Sequence, residues 1–532
     1  MAVDREAIVP LRTEQRVPEG HLTGPLVLAV FAVTLSSFQF GYHIGCINAP
    51  AELVKGWFGD SHSKLFGTKL TDNDIDFAWS VAVSIFAIGG MIGGLLSGWA
   101  ADKVGRRGAL LYNNIICFIA AALMGLAKSA GAYPMIILGR FFIGLNCGLI
   151  LSLAGLSFVC FLFSEFRLRR ERRRLSSGLV PMYLTEVSPI NLRGMLGSIH
   201  QLLVTIAILV SQILGLPQLF GHENGWSWIF AFTVVPAIIQ LAVLPLCPES
   251  PKYSMAVRGQ NEKAEADLKK LRGTNEVQAE IEQMREEVAA ASREEKPSMG
   301  AMFKGSLRWP MIIAIMMMLA QQLSGINVAM FYSTTIFKGA GLSATGAVYA
   351  TIGMGLVNVI MTIIAVWLVD HPKFGRRSLL LIGLIGMWIS TILIVIFLTI
   401  SEETKIPSKI PGQEPDFNPD YRWASYSAIV FVLLFVISFA TGPGAIPWFY
   451  VSEIFASSAR GNANSIAICV NWLANFLVGL AFLPIKNIIE QYSFLVFTGF
   501  LTYFIFFTRK FAPETKGKTV EEITAGFEKN RR

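Results

Sequence analysis

Twelve long apolar runs dominate this chain of 532 residues and restrict the folds open to it. A helix needs about 20 apolar residues to cross the roughly 30 Å hydrocarbon core of a bilayer. Of all residues, 53% are hydrophobic and only 15% are charged, which is too apolar for a water-soluble protein of this size. Many runs also contain Gly, Pro, Asn or Gln, which a bundle of helices can shelter from lipid. The sequence therefore predicts an all-α membrane protein with twelve transmembrane helices, near residues 26–47, 79–99, 109–126, 135–151 or beyond, 198–216, 229–246, 311–331, 349–369, 379–399, 426–446, 463–482 and 494–507.

Positively charged residues predict the orientation of the chain. Lys103, Arg106 and Arg107 follow the second run, and Arg376 and Arg377 follow the eighth. The stretch between the sixth and seventh runs is also rich in Lys and Arg. All of these residues lie on one side if the N-terminus is cytoplasmic, and an even number of helices then places both termini in the cytoplasm. The net charge of +8 follows from this bias and requires no nucleic-acid partner.

The two halves of the sequence repeat one another. YLTEVSPINLRGMLGSI at 183–199 and YVSEIFASSARGNANSI at 450–466 share Tyr, Glu, Arg, Gly, Ser and Ile in register. Gly-Arg-Arg recurs after the second run of each half, and PESPKY and PETKGK follow the sixth. Two six-helix bundles with a substrate site between them, near the middle of the bilayer, are typical of transporters. We therefore predict an N-terminal tail (1–24), a first bundle (25–248), a cytoplasmic helical linker (249–309), a second bundle (310–511) and a short cytoplasmic tail (512–532).

Five motifs carry a family resemblance: GWAADKVGRR, PESPKY, QQLSGIN, GPGAIPW and PETKGK, in this order. Together they resemble the sugar porter branch of the major facilitator superfamily. QFGYHIGCINAP, which begins at Gln39, resembles the animal facilitative glucose transporters. The resemblance implies the major facilitator fold and passive, alternating-access transport of hexose across the plasma membrane, with the monomer sufficient for transport. D-glucose is the implied substrate, and D-fructose is left open.

The sequence contains no pairing of a nucleophile with a base, no phosphate-binding loop and no metal-ligand spacing. We therefore expect neither an enzyme nor a cofactor or metal. Apart from hexose, the only expected partner is membrane lipid.

Neutral amide side chains are the predicted ligands of the sugar. A sugar hydroxyl both donates and accepts hydrogen bonds, and an amide does the same without a charge to desolvate. On an unbroken helix Gln321, Gln322 and Asn327 would point in different directions, but the Ser-Gly pair at 324–325 permits a break that lets all three face one cavity. A second break, at GPGAIPW, would present Trp448 as a flat platform for the sugar ring.

The resemblance assigns substrate binding to Gln201, Gln321, Gln322, Asn327, Asn358, Trp448 and Asn471. The predicted helix breaks are at Gly325, Gly442, Pro443, Gly444 and Pro447. For any one of these amides taken alone, the alternative is a hydrogen bond that joins two helices.

Charged residues at the cytoplasmic ends of the runs form a second predicted site. In the family, such residues form ion pairs that hold the two bundles together while the cavity opens outward. Ion pairs suit this role because they are specific and reversible. The alternative is an ordinary excess of positive charge inside, which leaves the paired glutamates unexplained. The predicted gating residues are Asp102, Arg106, Arg107, Glu186, Arg193, Glu249, Arg376, Arg377, Glu453, Arg460 and Glu514.

Three positions depart from the family pattern. Ala440 stands where many members carry a glutamate, which removes one expected sugar contact. Met318-Leu319-Ala320 replaces the Gln-Leu-Ser of glucose-selective members, and this is why fructose is left open. The motif DHPKFGRR is longer than usual, so the partner of Asp370 is undetermined.

His43 raises an alternative mechanism. It lies in the first run, where proton-coupled relatives carry an aspartate, and a histidine titrates near neutral pH. We expect a neutral, hydrogen-bonded imidazole and therefore uniport, because the first run has no other ionisable group. The alternatives are a proton-coupled sugar symporter and a sugar sensor that does not transport.

Residues 150–175 form an atypical basic insert in or after the fourth helix, with six arginines between 167 and 174. Three interpretations remain open. The insert is a basic patch for anionic lipid, an alternative end of the fourth helix, or sequence foreign to the mature transporter such as a retained in-frame intron. If it lengthens the fourth helix, we expect 179–184 to be displaced and the gating residues to lose their register.

Overall fold

The computed structural model describes residues 21–151, 179–189, 192–293, 297–406, 418–518 and 522–523. All but the first two residues of the predicted insert, 150–175, therefore lie outside the described residues. In chain order the α-helices are α1 Gly24–Gly45, α2 Ala51–Phe66, α3 Asp72–Val104, α4 Arg106–Ala130, α5 Pro134–Leu151, α6 Leu179–Val187, α7 Arg193–Leu214, α8 Trp226–Ala231, α9 Val234–Val243, α10 Pro251–Ala256, α11 Asn261–Arg272, α12 Gln278–Arg293, α13 Arg308–Leu323, α14 Ile326–Gly339, α15 Ala344–Asp370, α16 Arg376–Glu403, α17 Arg422–Thr441, α18 Ile446–Ile454, α19 Ser457–Ile489 and α20 Ser493–Phe511.

Twelve helical crossings of a membrane can be traced in the described residues. Nine helical segments are long and apolar enough to span one by length and composition. One of them, Ser458–Phe511, reverses direction at Glu490, whose φ is 46°, and therefore supplies two crossings. Two shorter apolar helices, Pro134–Ile150 and Ile199–Leu214, complete the set. The prediction of an all-α protein with twelve transmembrane helices is confirmed.

Two of the crossings are interrupted near their middle. The seventh consists of α13 and α14, and Gly325 between them has a φ of 92°, in the left-handed region that favours glycine. A Cβ at this position would also lie 2.7 Å from the ring of Phe497. The tenth crossing consists of α17 and α18, with residues 442–445 between them. A Cβ on Gly442 would lie 2.3 Å from the backbone oxygen of Leu379, so this break also brings the chain against α16.

The crossings form two halves that pack against each other through a few helices. Within the first half α3 packs on α5 and α1 on α7, and within the second half α16 packs on α17 and α20. Between the halves, α3 packs on α19 and α7 on α15. The ring of Trp472 on α19 fills the space beside Gly90 of α3, where a Cβ would lie 2.7 Å from it.

The linker helices dock on the first half. Arg272 at the end of α11 donates to the backbone oxygen of Val187 at 2.8 Å and forms an ion pair with Glu280 of α12 at 2.6 Å. The hydroxyl of Thr23, which caps α1, donates to the backbone oxygen of Leu271. The linker therefore lies at one end of the bundle. We call this the linker end, and we call the opposite end, which holds Asn48, the outer end.

Candidate functional site

The two helix breaks are tied together by one glutamine. The amide nitrogen of Gln321, near the end of α13, donates to the backbone oxygens of Pro443 and Gly444 at 3.0 and 2.8 Å. Because a helix break leaves carbonyl groups without helical partners, a buried amide that binds them stabilises the break. Gln321 is 3% exposed. The first predicted site residue therefore links the seventh crossing to the tenth.

Three further amides extend this contact into a hydrogen-bonded cluster. Gln322 donates to the oxygen of Asn471 at 2.9 Å, and Asn471 donates back to the oxygen of Gln321 at 2.8 Å. Asn327, just past the break, donates to the oxygen of Gln322. We call Gln321, Gln322, Asn327 and Asn471 the amide cluster. It contains donors and acceptors but no charge, which is the arrangement that a neutral polyhydroxylated ligand requires.

The remaining predicted ligands lie on other helices. Gln201 on α7 and Trp448 on α18 are half-buried, and Asn358 on α15 is 7% exposed. In the described part of the chain no hydrogen bond joins these three residues to the amide cluster. Trp448 packs against the hydrophobic core. Four of the seven predicted ligands are thus brought together, and three are not.

A second buried amide network lies in the first half and was not predicted. Gln39 of α1 donates to Asn114 of α4 at 3.1 Å, and Asn114 donates to Gln240 of α9 at 2.9 Å. Gln240 in turn donates to the backbone oxygen of Ala32 and to the hydroxyl of Ser36, both at 2.7 Å. These bonds join three helices of one half, so this network fits the role of interhelical hydrogen bonding. The sequence signal was present, since each residue is an amide inside an apolar run.

Hydrogen bonds also cross between the halves, and these lie at the outer end. The side chain of Asn48, fully buried after α1, donates to the backbone oxygen of Met330 and to the hydroxyl of Ser333, and accepts from the backbone of Thr334. In a second contact between the halves, Asn487 of α19 donates to Asp76 of α3 at 3.0 Å. Sequence analysis did not single out Asn48, because a single amide two residues before a proline carries no distinctive signal.

At the linker end, five of the six predicted gating residues of the first half form one charge cluster. Arg106 donates to both carboxylate oxygens of Glu186, at 3.0 and 3.1 Å, and lies 3.6 Å from Asp102. Glu249 accepts the backbone N–H groups of Arg106 and Arg107, both at 3.1 Å. Burial raises the pKa of the Glu249 carboxyl above its usual value, while the backbone N–H groups that it accepts act in the opposite direction.

The second half repeats this cluster. Arg376 lies 3.5 Å from Glu453, and Glu514 accepts the backbone N–H groups of Arg376 and Arg377 at 2.7 and 3.1 Å. Tyr450 donates to the backbone oxygen of Pro513 at 2.6 Å. In the first half, Tyr183 donates to Pro248 at the same distance. The repeated motifs of the sequence therefore occupy equivalent positions, and the ion pairs described here join residues of the same half.

Two other predicted gating residues are placed differently. Arg460 is half-buried, donates to the backbone oxygen of Phe455 at 3.3 Å, and is not paired with Glu453 in the described contacts. Arg193 begins α7, and its side chain is outside the described residues.

The predicted displacement of 179–184 depended on the insert lengthening the fourth helix, and because residues 152–175 lie outside the described residues it stays a prediction. Helix α6 begins at Leu179 and packs against α5, and Glu186 within it holds Arg106. The paired carboxylate and the buried Tyr183 anchor α6 to α4 and to the end of the sixth crossing.

His43 is fully buried beside Arg140. Its backbone oxygen accepts a hydrogen bond from the guanidinium of Arg140 on α5 at 2.9 Å. Arg140 is also fully buried, donates to the backbone of Ala82, and stacks over the ring of Phe86 at 4.5 Å. The contact between the two residues thus involves the His43 backbone and not its ring. Within the described residues, no group of His, Cys, Asp and Glu could hold a metal ion.

Comparison with known proteins identifies the family. The family model described as "Sugar (and other) transporter" matches residues 28–158 and 175–527. "Facilitated glucose transporter protein 1" of Caenorhabditis elegans is 64% identical over 98% of this chain and 95% of its own length. The chain belongs to the sugar transporter family. A second relative of this sugar transporter, "Solute carrier family 2, facilitated glucose transporter member 3" of Ovis aries, is 41% identical over 95% of this chain and 93% of its own.

Solved structures agree with the fold. The xylose transporter XylE from E. coli, in a partially occluded inward-open conformation, matches with a TM-score of 0.71 and 25% identity over 93% of this chain and all of its own. The XylE structure described as a proton:xylose symporter bound to 6-bromo-6-deoxy-D-glucose matches with a TM-score of 0.67. The sugar transporter therefore has the major facilitator fold. The gap in the family match, 159–174, falls inside the predicted insert.

Proposed function

We propose that the protein is a facilitative hexose transporter of the plasma membrane that carries D-glucose by alternating access. The observation that carries this proposal is the uncharged amide cluster at two helix breaks, in a chain whose relatives are named facilitated glucose transporters. On binding, hydrogen bonds between amides would be replaced by hydrogen bonds from amides to sugar hydroxyls. This replacement has a small free-energy cost because every amide keeps a hydrogen-bond partner. Fructose remains a second candidate substrate.

The proposed path runs between the two halves. Gln201, Asn358 and Trp448 would form its other walls, with the indole packed against the sugar ring. Alternating access requires that contacts at one end break while those at the other end form. The contacts across the outer end and the ion pairs within each half at the linker end support a state that opens toward the linker. We assign that end, and both termini, to the cytoplasm on the basis of the positive residues around it.

We further propose that the gating charges pair across the two halves when the outer end opens. The two charge clusters lie on equivalent positions of the repeat, so a rocking motion would bring them toward one another. The proposed units are the tails 1–24 and 512–532, the bundles 25–248 and 310–511, and the linker 249–309. A single chain suffices for transport in this scheme.

The direct test is uptake of labelled D-glucose and D-fructose in cells that lack their own hexose transporters. We expect saturable uptake that is independent of sodium. Gln322→Ala should reduce it roughly 5- to 150-fold, because the lost amide leaves sugar hydroxyls and Asn471 unpaired in a desolvated site. Gln260→Ala, in the exposed start of the linker, is the control and should transport normally. Absence of uptake of both sugars by correctly surface-expressed protein would rule the proposal out.

Proton coupling is the second candidate mechanism, because His43 is buried in a fold shared with a proton symporter. We favour uniport, since the neighbouring Arg140 disfavours a second positive charge. Under uniport, equilibrium exchange of glucose continues when the proton gradient is collapsed, and external pH does not change on adding sugar. Sugar-induced alkalinisation that His43→Gln abolishes would show symport instead.

A further inference from the structure

A groove between α4 and α9, at the linker end of the first half, takes no part in the proposed transport path. Its volume is about 650 Å³, within the range of small-molecule sites. One wall is formed by Gly108, Tyr112 and Ile115 of α4, and the other by Leu241 and Pro245. The α4 residues lie at spacings of four and three, so they share one helix face.

The groove is apolar and opens away from the bundle. Tyr112 is 62% exposed and Ile115 is 54% exposed, so both side chains face the surrounding lipid rather than the core. A Cβ on Gly108 would meet only the side chain of Val104, at 3.4 Å or more. The missing side chain at 108 therefore helps to open the groove. From Gly108 to Ile115 the helix rises about 10 Å, which fits within one leaflet of roughly 15 Å.

Cationic groups stand at the linker-end mouth of this apolar groove. Arg258 lines the groove and is exposed. Its Nε donates to the hydroxyl of Tyr253 at 3.1 Å, and its guanidinium lies 5.8 Å from the centre of that ring. Arg107 donates to the backbone oxygen of Pro245, which also lines the groove. The nearby carboxylate of Glu249 accepts the backbone N–H groups of Arg106 and Arg107.

We propose that this groove binds one anionic phospholipid, with its phosphate at Arg258 and an acyl chain along α4 and α9. The apolar walls match the chain, and the cation at the mouth matches the headgroup. The site also adjoins the first-half charge cluster, because the ring of Tyr253 lies between Arg258 and Arg106, whose guanidinium is 4.8 Å from its centre. A lipid held here is thus linked to Arg106 through Arg258 and Tyr253.

The test is native mass spectrometry of the purified full chain, titrated with phosphatidylserine or with neutral phosphatidylcholine. We expect one tight phosphatidylserine site that Arg258→Gln weakens about fivefold, which corresponds to the loss of one cation near a phosphate. Ile115→Trp should block the same site by filling the groove without changing the charge. Because Ile115 faces lipid, melting temperatures of this variant and the wild type should agree.

Two matched variants serve as controls. Lys304→Gln removes an exposed cation elsewhere at the linker end, and Ile363→Trp enlarges a residue on α15 that is 55% exposed. Both should bind phosphatidylserine as the wild type does. The proposal is overturned if Arg258→Gln and Ile115→Trp bind normally, if the controls lose as much binding, or if soluble glycerophosphoserine displaces the lipid. The measurement needs no sugar, so its outcome is independent of whether the protein transports hexose.

Discussion

The two ends of the bundle are held in different ways. At the outer end, hydrogen bonds cross from one half to the other, through Asn48 to α14 and through Asp76 to Asn487. At the linker end, the ion pairs of Arg106 and Arg376 stay within their own halves. Hydrogen bonds between the halves thus hold the outer end, while the ion pairs at the linker end hold each half together. The difference indicates that in this structure the charged motifs stabilise each half and do not join the two halves.

The two charge clusters also differ from each other, and this gives the largest expected effect. The Arg106–Glu186 pair is bidentate and its side chains are 5% and 11% exposed, whereas Arg376 and Glu453 are 3.5 Å apart and 16% and 29% exposed. Removing one partner of a buried pair costs about 3–5 kcal/mol, since the other charge is left uncompensated. Arg106→Ala should therefore lower the melting temperature far more than Arg376→Ala. If both variants lower the melting temperature equally, the difference in burial between the two clusters does not affect stability.

The next effect concerns the outer end. Asn48→Ala removes three hydrogen bonds across the interface and leaves partners on α14 unsatisfied. This loss should destabilise the state that is closed at the outer end by about 1–3 kcal/mol. The ratio of the open to the closed state at this end would then rise roughly 5- to 150-fold. Labelling of a cysteine placed at Phe337, which is fully buried on α14, should become faster in Asn48→Ala. Unchanged labelling would mean that Asn48 does not hold this end closed.

The smallest effect is expected for the insert. We propose that residues 150–175 are dispensable, because the family match is interrupted at 159–174 and because Glu186 keeps its pairing with Arg106. Deleting 150–175 should leave surface expression and hexose uptake equal to or above those of the full chain. If the deletion abolishes uptake while surface expression is normal, the basic segment belongs to the working protein.

Much of the fold followed from the sequence because lipid imposes strict lengths and the motifs repeat. The twelve crossings could be predicted from the lengths of the apolar runs, and the breaks at Gly325 and near Pro443 could be predicted from the helix-breaking residues there. The hydrogen bonds of Gln321 to the second break could not be predicted, since they depend on how two distant helices meet. The same holds for Arg140 beside His43, which is 97 residues away in the chain. The anchoring of α6 by Glu186 and Tyr183 could not be predicted either, since their partners, Arg106 and Pro248, lie far away in the chain.

The most direct measurement follows both ends at once. With the six native cysteines replaced, spin labels at Phe66 and Ile488 report on the outer end, and labels at Lys103 and Lys373 report on the linker end; all four positions are exposed. Adding D-glucose should lengthen the outer distance and shorten the linker-end distance in part of the population, and Gln322→Ala should abolish both changes. If a protein that transports glucose shows no sugar-dependent change, or if both distances move in the same direction, alternating access through the amide cluster is contradicted.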